Sequence, residues 1–129
     1  MLREIGFSHR WGYGELVKVN IYPFRSPSTS ELMKWLLDGR NHAKVGENWE
    51  RIGKLVRSHS TQVCVAAWGN IAALADVRKF LNAVGVADWQ CLGTTMSGAP
   101  KHTLARGVHR IPDTAFLIPW TPNVVRTAA

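Results

Sequence analysis

The alternation of apolar and polar positions divides the chain into helical and strand-like stretches. The most continuous apolar run is residues 62–70, QVCVAAWGN, where Val63, Val65, Ala66 and Ala67 leave almost no position polar enough to face water. Trp68, Gly69 and Asn70 close that run and lead into a helix. This is the pattern of a strand buried on both faces, and it predicts the central strand of a layered domain.

Upstream, Leu2, Ile5 and His9 recur at helical spacing, so residues 1–10 read as a helix that stops in the Trp11-Gly12-Tyr13-Gly14 turn. Residues 16–21, LVKVNI, predict a β-branched strand, and two prolines then force a loop over residues 22–27. Ser28 or Ser30 caps the next helix, whose apolar face is Leu32, Met33, Leu36 and Leu37 and which Gly39 ends. A polar link over residues 40–46 precedes a further helix on Trp49, Ile52, Leu55 and Val56, closing near His59. After the central strand, Ile71, Leu74, Val77, Phe80 and Leu81 predict a helix ending around Gly85. Residues 88–92 form a short strand, residues 93–102 a glycine- and hydroxyl-rich loop, residues 104–107 a helical turn, and residues 116–120 a last apolar segment.

Strand-like runs alternating with helices predict an α/β fold, a three-layer sandwich with a short, mostly parallel sheet of about three or four strands flanked by helices. One such domain is expected over residues 1–120, with residues 121–129 as a flexible C-terminal tail. In such sheets ligands sit beyond the carboxyl ends of the strands, which makes Gly69 and Asn70 rim residues.

Composition narrows the partners. A chain of 129 residues with 46% hydrophobic content can form a true core, which excludes whole-chain disorder. The formal charge of +7, from 16 Lys and Arg against 9 Asp and Glu, favours anionic partners. No run of like charges forms a basic tail of the kind that wraps a duplex. No apolar stretch approaches the roughly 18 residues of a membrane span, so no membrane partner is expected. The start lacks a secretory hydrophobic region, and both cysteines, Cys64 and Cys91, lie in apolar runs; the expectation is a reduced cytoplasmic protein.

His9, His42, His59, His102 and His109 stand apart, with no spacing that makes a metal site, so neither a metal nor a cofactor is expected. Serine-hydrolase elbows and phosphate-loop motifs are also missing from the sequence. The constellation with chemical content is Asn20, Arg25, Trp68, Gly69, Asn70, Lys101 and His102, all predicted at or just past strand ends. Asn reads an amide or a base edge, Arg and Lys hold phosphate, and Trp offers a stacking face. His102 is suited to proton transfer or to hydrogen-bonding a leaving oxygen, and is the catalytic candidate. Structural readings stand beside these: Asn20 as a loop-holding amide, Trp68 as a core-edge aromatic, His102 as the organiser of the glycine-rich turn.

The segments GFSHRWGYGELVKVNIYPFRSPSTSEL, VAAWGN and CLGTTMSGAPKHTL resemble, in order and spacing, the bacterial and phage family catalogued as domain of unknown function 1643. The resemblance runs from about residue 5 to residue 120. It implies that family members begin earlier, with a strand and a Leu-Asn-Pro-Ser-type loop, so this chain is expected to lack the first strand of the family pattern. The family usually has His-Pro where His102-Thr103 stands here. The order of its segments is in turn similar to the uracil-DNA glycosylase superfamily, which implies His102 as a late histidine facing a departing oxygen and Asn20 or Asn70 as base contacts. The missing first loop would remove the water-positioning group, and an uncovered sheet edge would be met by a homodimer.

The leading expectation is therefore an uncharacterised protein that binds a nucleotide or nucleic acid at the carboxyl ends of its strands. Two alternatives stay open: a glycosylase-like hydrolase of N-glycosidic bonds, and a small structural or protein-interaction domain without catalysis.

Overall fold

Helices form where the sequence carries a 3.6-residue apolar period. A computed structural model describes residues 2–24, 28–58, 61, 63–104 and 110–122, and its helices are α1 (Leu2–Arg10), α2 (Thr29–Leu37), α3 (His42–Ser58) and α4 (Leu74–Val84). Two strands, β1 (Trp89–Cys91) and β2 (Ile118–Trp120), pair antiparallel, with Trp89 opposite Trp120, Gln90 opposite Pro119 and Cys91 opposite Ile118. The chain divides into two compact units. The first comprises Met1–Lys18, Val63–Ala72 and Ala87–Ala129, and the second Val19–Gln62 and Ala73–Val86.

The first unit buries one face of α1. Phe7, Leu92 and Ile111 form its apolar centre, with Trp11, Ala115 and Leu117 packed around them. Phe7 stacks on Trp11 at 5.4 Å, and the Trp11 indole N–H donates to the Ala115 carbonyl at 3.1 Å. Segment 64–66 runs parallel to β1 for a single bridge, Val65 to Gln90. There the Ala66 N–H donates to the Gln90 carbonyl at 2.8 Å and the Gln90 N–H to the Cys64 carbonyl at 2.9 Å.

The second unit is helical. Ser28 caps α2 by accepting from the Glu31 N–H at 3.3 Å, and Asp38 ends that helix in an extended conformation. Its carboxylate then caps a 3-10 turn, Gly39–Asn41, through the Arg40 N–H at 3.0 Å. This turn feeds directly into α3, so the polar link expected over residues 40–46 is mostly helix. His42, Ala43 and Lys44 lie on its exposed side while Val45, Trp49 and Ile52 are buried. Trp49 meets Phe80 of α4 edge-on at 6.1 Å. Gly53 lets the two helices approach closely: a Cβ there would stand 2.9 Å from the Ala83 carbonyl oxygen. Gly85, at φ +74°, closes α4 in the left-handed conformation that glycine adopts without strain.

The expected three-layer sandwich with three or four mostly parallel strands does not form. Among the described residues there are four α-helices and one two-stranded antiparallel sheet. The LVKVNI stretch is not a strand, and the carbonyls of its last two residues are bonded to side chains of α3. The Asn48 amide donates to the Asn20 carbonyl at 2.9 Å and the Trp49 indole to the Ile21 carbonyl at 2.6 Å, so α3 takes the acceptors a neighbouring strand would need. Leu16, Val17 and Val19 are exposed, and a β-branched run without a covering layer has nothing to gain from pleating. Burial within residues 63–70 is one-sided, with Ala66 at 0% exposure but Val65 at 37%. The predicted α3 end at His59, the turn over residues 105–107 and the tail past residue 122 lie outside the described residues.

Replacing Gly53 with Ala should separate α3 from α4. The gain in helix propensity is about 1 kcal/mol, and a Cβ pressed against a backbone carbonyl costs more, so a net loss of about 1–2 kcal/mol is expected. A urea midpoint equal to or above that of the parent would show that the helices move apart freely.

Candidate functional site

Two loops leave the paired segments 64–66 and β1 on the same end, since those segments run parallel. The first carries Trp68, Gly69 and Asn70; the second is a hairpin over residues 93–101. The Thr95 N–H donates to the Ala99 carbonyl at 2.8 Å, the Gly98 N–H to the Thr95 carbonyl at 3.0 Å, and the Lys101 N–H to the Gly93 carbonyl at 2.9 Å. One bond joins the two loops: the Gly69 N–H donates to the Pro100 carbonyl at 2.8 Å. Gly69 sits at φ +66°, and a Cβ on it would lie 3.7 Å from the His102 Cβ, so Gly69 and His102 are neighbours.

Asn70 locks onto the hairpin by its side chain. Its Oδ1 accepts from the Thr95 hydroxyl at 2.8 Å and the Ser97 hydroxyl at 2.9 Å. The Lys101 stem crosses Gly93, where a Cβ would meet its Cδ at 3.4 Å. The His102 Nδ1 accepts from the Leu104 N–H at 3.0 Å. Trp68 packs edge-on against Trp120 at 5.2 Å and Trp89 at 6.0 Å, and the Trp120 indole donates to the Gly98 carbonyl at 3.1 Å. These three tryptophans support the hairpin, which gives Trp68 a packing role.

The structure therefore brings together Trp68, Gly69, Asn70, Lys101 and His102 in the first unit. Asn20 belongs to the second unit, where its carbonyl serves the contact with Asn48 described above, and Arg25 lies outside the described residues.

Sequence reasoning missed what anchors the residue after His102. Thr103 is buried; its hydroxyl donates to the Glu4 carboxylate at 2.9 Å and its carbonyl accepts from Arg3 Nη1 at 2.9 Å. Arg3 also bonds the Ile111 carbonyl and pairs with Asp113 at 3.1 Å, and Lys18 pairs with Glu4 at 3.1 Å. Burial pushes the Glu4 carboxyl upward, but its own backbone N–H, the Lys18 ammonium and the Thr103 hydroxyl outweigh this and hold it at about 2, against an ordinary 4.5. The partners are 99 and 100 residues apart, a separation at which no local pattern signals the contact.

Other chemistry is sparse. Cys64 and Cys91 are free thiols, both pushed up by burial. Among the described residues no three His, Cys, Asp or Glu side chains converge on a metal position, and no helix is long and apolar enough to cross a membrane. A separate recess of about 350 Å³ along α1 is lined by Ile5, His9, Tyr13, Gly14, Glu15 and Leu16, and holds none of the predicted site residues.

A small helical and β-hairpin protein with a polar loop face is what fold and site define. The family model described as protein of unknown function (DUF1643) matches residues 1–104, from α1 through both loops of the site, and the chain belongs to that family. No curated protein and no solved structure matches it.

Because the Glu4 pKa is lowered on folding, its contribution is fully present above about pH 4.5 and lost as the pH falls through about 2. Glu4→Gln should cost about 1–3 kcal/mol at neutral pH and flatten the acid limb of stability between about pH 5 and 2. Thermal melting across that range tests this, and superimposable acid limbs would remove Glu4 from the anchoring network.

Proposed function

We propose that the chain is a nucleotide- or nucleic-acid-binding module whose contact face is the pair of loops carrying Gly69, Asn70, Lys101 and His102, with Trp68 as their support. The observation that carries this reading is the Gly69 to Pro100 bond, which holds an amide, an ammonium and an imidazole on adjoining loops of a chain with formal charge +7. Asn20 and Arg25 have no part in this reading.

One feature favours a second, hydrolytic reading. With Nδ1 accepting from Leu104, a neutral His102 carries its proton on Nε2 and can donate it to a departing oxygen. That reading rests on His102 alone, since the parallel sheet on which the glycosylase likeness drew is not formed.

Fluorescence anisotropy with short labelled single- and double-stranded DNA and RNA, at about 50 and 150 mM salt, separates the readings. Binding that survives the higher salt is expected, and Lys101→Ala should weaken it and reduce the salt slope by about 1. No binding at the higher salt would sink the nucleic-acid reading. Base release by the parent and not by His102→Ala would establish the hydrolytic one.

A further inference from the structure

The hydrogen-bond polarity of the loop face says which part of a ligand it can hold. Asn70 accepts two hydroxyl protons on Oδ1, from Thr95 and Ser97, and these use both of that oxygen's lone pairs. An asparagine that reads adenine needs its oxygen for the N6 amino group and its nitrogen for N7. Here the oxygen is taken by the protein, and the exposed Asn70 side chain has only its Nδ2 hydrogens left to offer.

His102 has the same polarity. Its Nδ1 is occupied as an acceptor from Leu104, so Nε2 is the protonated nitrogen of the neutral ring. The exposed imidazole can therefore act as a donor without first taking up a proton. Lys101 has no carboxylate partner among the described residues, and its ammonium is held near Gly93 by the stem that crosses it. Asp88 is the one acidic residue in segments 63–72 and 87–104, and it precedes β1, whereas the hairpin follows it.

We propose that this face is a phosphate site, in which Asn70 Nδ2, Lys101 Nζ and His102 Nε2 donate to phosphate oxygens and the base of a nucleotide is left unread. Three donors and no free side-chain acceptor among them match a group made only of acceptors, and a charged donor and acceptor give the stronger class of hydrogen bond. The orienting residues are Thr95 and Ser97: they touch no ligand but fix which end of the Asn70 amide faces outward. The proposal deepens the function proposed above and rests on the same loops, yet it separates from that reading under test.

The test is a nitrogen-15 NMR titration of the full chain with inorganic phosphate, a nucleoside, the matching nucleoside monophosphate and a short oligonucleotide. Phosphate and the monophosphate should shift the Asn70 side-chain amide and the His102 ring saturably, and the nucleoside should not. A nucleoside that binds as tightly as its monophosphate would overturn the proposal, as would phosphate shifts that leave Asn70 and His102 untouched. Phosphate shifts at this face with no oligonucleotide binding at moderate salt would support the phosphate site while removing the nucleic-acid reading. In the double variant Thr95→Val, Ser97→Ala the amide is free to turn, and phosphate affinity should fall about tenfold, one decade being near 1.4 kcal/mol, with the melting temperature little changed. Unchanged affinity in that variant would also overturn the proposal. Should it not fold, the titration of the parent chain decides by itself.

Discussion

The first turn of α1 fixes backbone about a hundred residues further along the chain, and the loop face depends on that anchorage. Arg3 donates to the carbonyls of Thr103 and Ile111, while Glu4 accepts the Thr103 hydroxyl. Thr103 is thus held by its backbone and its side chain at once, which sets where His102, one residue earlier, can lie. The Arg3 guanidinium also lies 5.1 Å from the Phe7 ring centroid, and Arg10 lies 5.3 Å from the same centroid. A ring with 1% exposure in contact range of two cations couples the apolar centre of the unit to its polar anchor. Hydrogen bonds to charged groups are individually the stronger ones, and these cluster where they set the position of a loop.

Much of the helical structure is legible in the sequence because helix signals are local. The α1 period and its glycine stop, the Ser28 cap, the α3 face through Trp49 and Ile52, and the Gly85 terminator are each written within a few residues. The short strand β1 and the apolar segment that becomes β2 are legible in the same way. The sheet is not, because a strand is a property of a pair. Residues 16–21 have strand composition, but their fate is decided by Asn48 and Trp49, which take two of their carbonyls, and nothing in LVKVNI announces that.

The site divides along the same line. Glycine-rich loops after apolar runs mark Gly69, Asn70, Lys101 and His102 as neighbours in kind, and the two loops do meet. The sequence holds no sign that Asn70 turns its oxygen towards Thr95 and Ser97, because that follows from the hairpin register, and it holds no sign of Glu4 and Arg3 as anchors. Trp68 shows the limit of reading by residue type: its ring packs edge-on with Trp89 and Trp120. Asn20 shows another, since it contributes through its backbone carbonyl, a group every residue has.

Pro119 stands opposite Gln90 in the middle of β2, and Gln90 already exchanges its backbone bonds with Cys64 and Ala66. The pair is therefore a non-bonded one, the ladder position that tolerates a residue without an N–H. Among the described residues β2 pairs on one side alone, and on its other side the same proline leaves a gap where an incoming strand would look for a donor. Phe116 and Ile118 are exposed beside it, the composition that invites strand-to-strand aggregation. The proline that suits the inner register thus also makes the outer border a poorer template for strand addition.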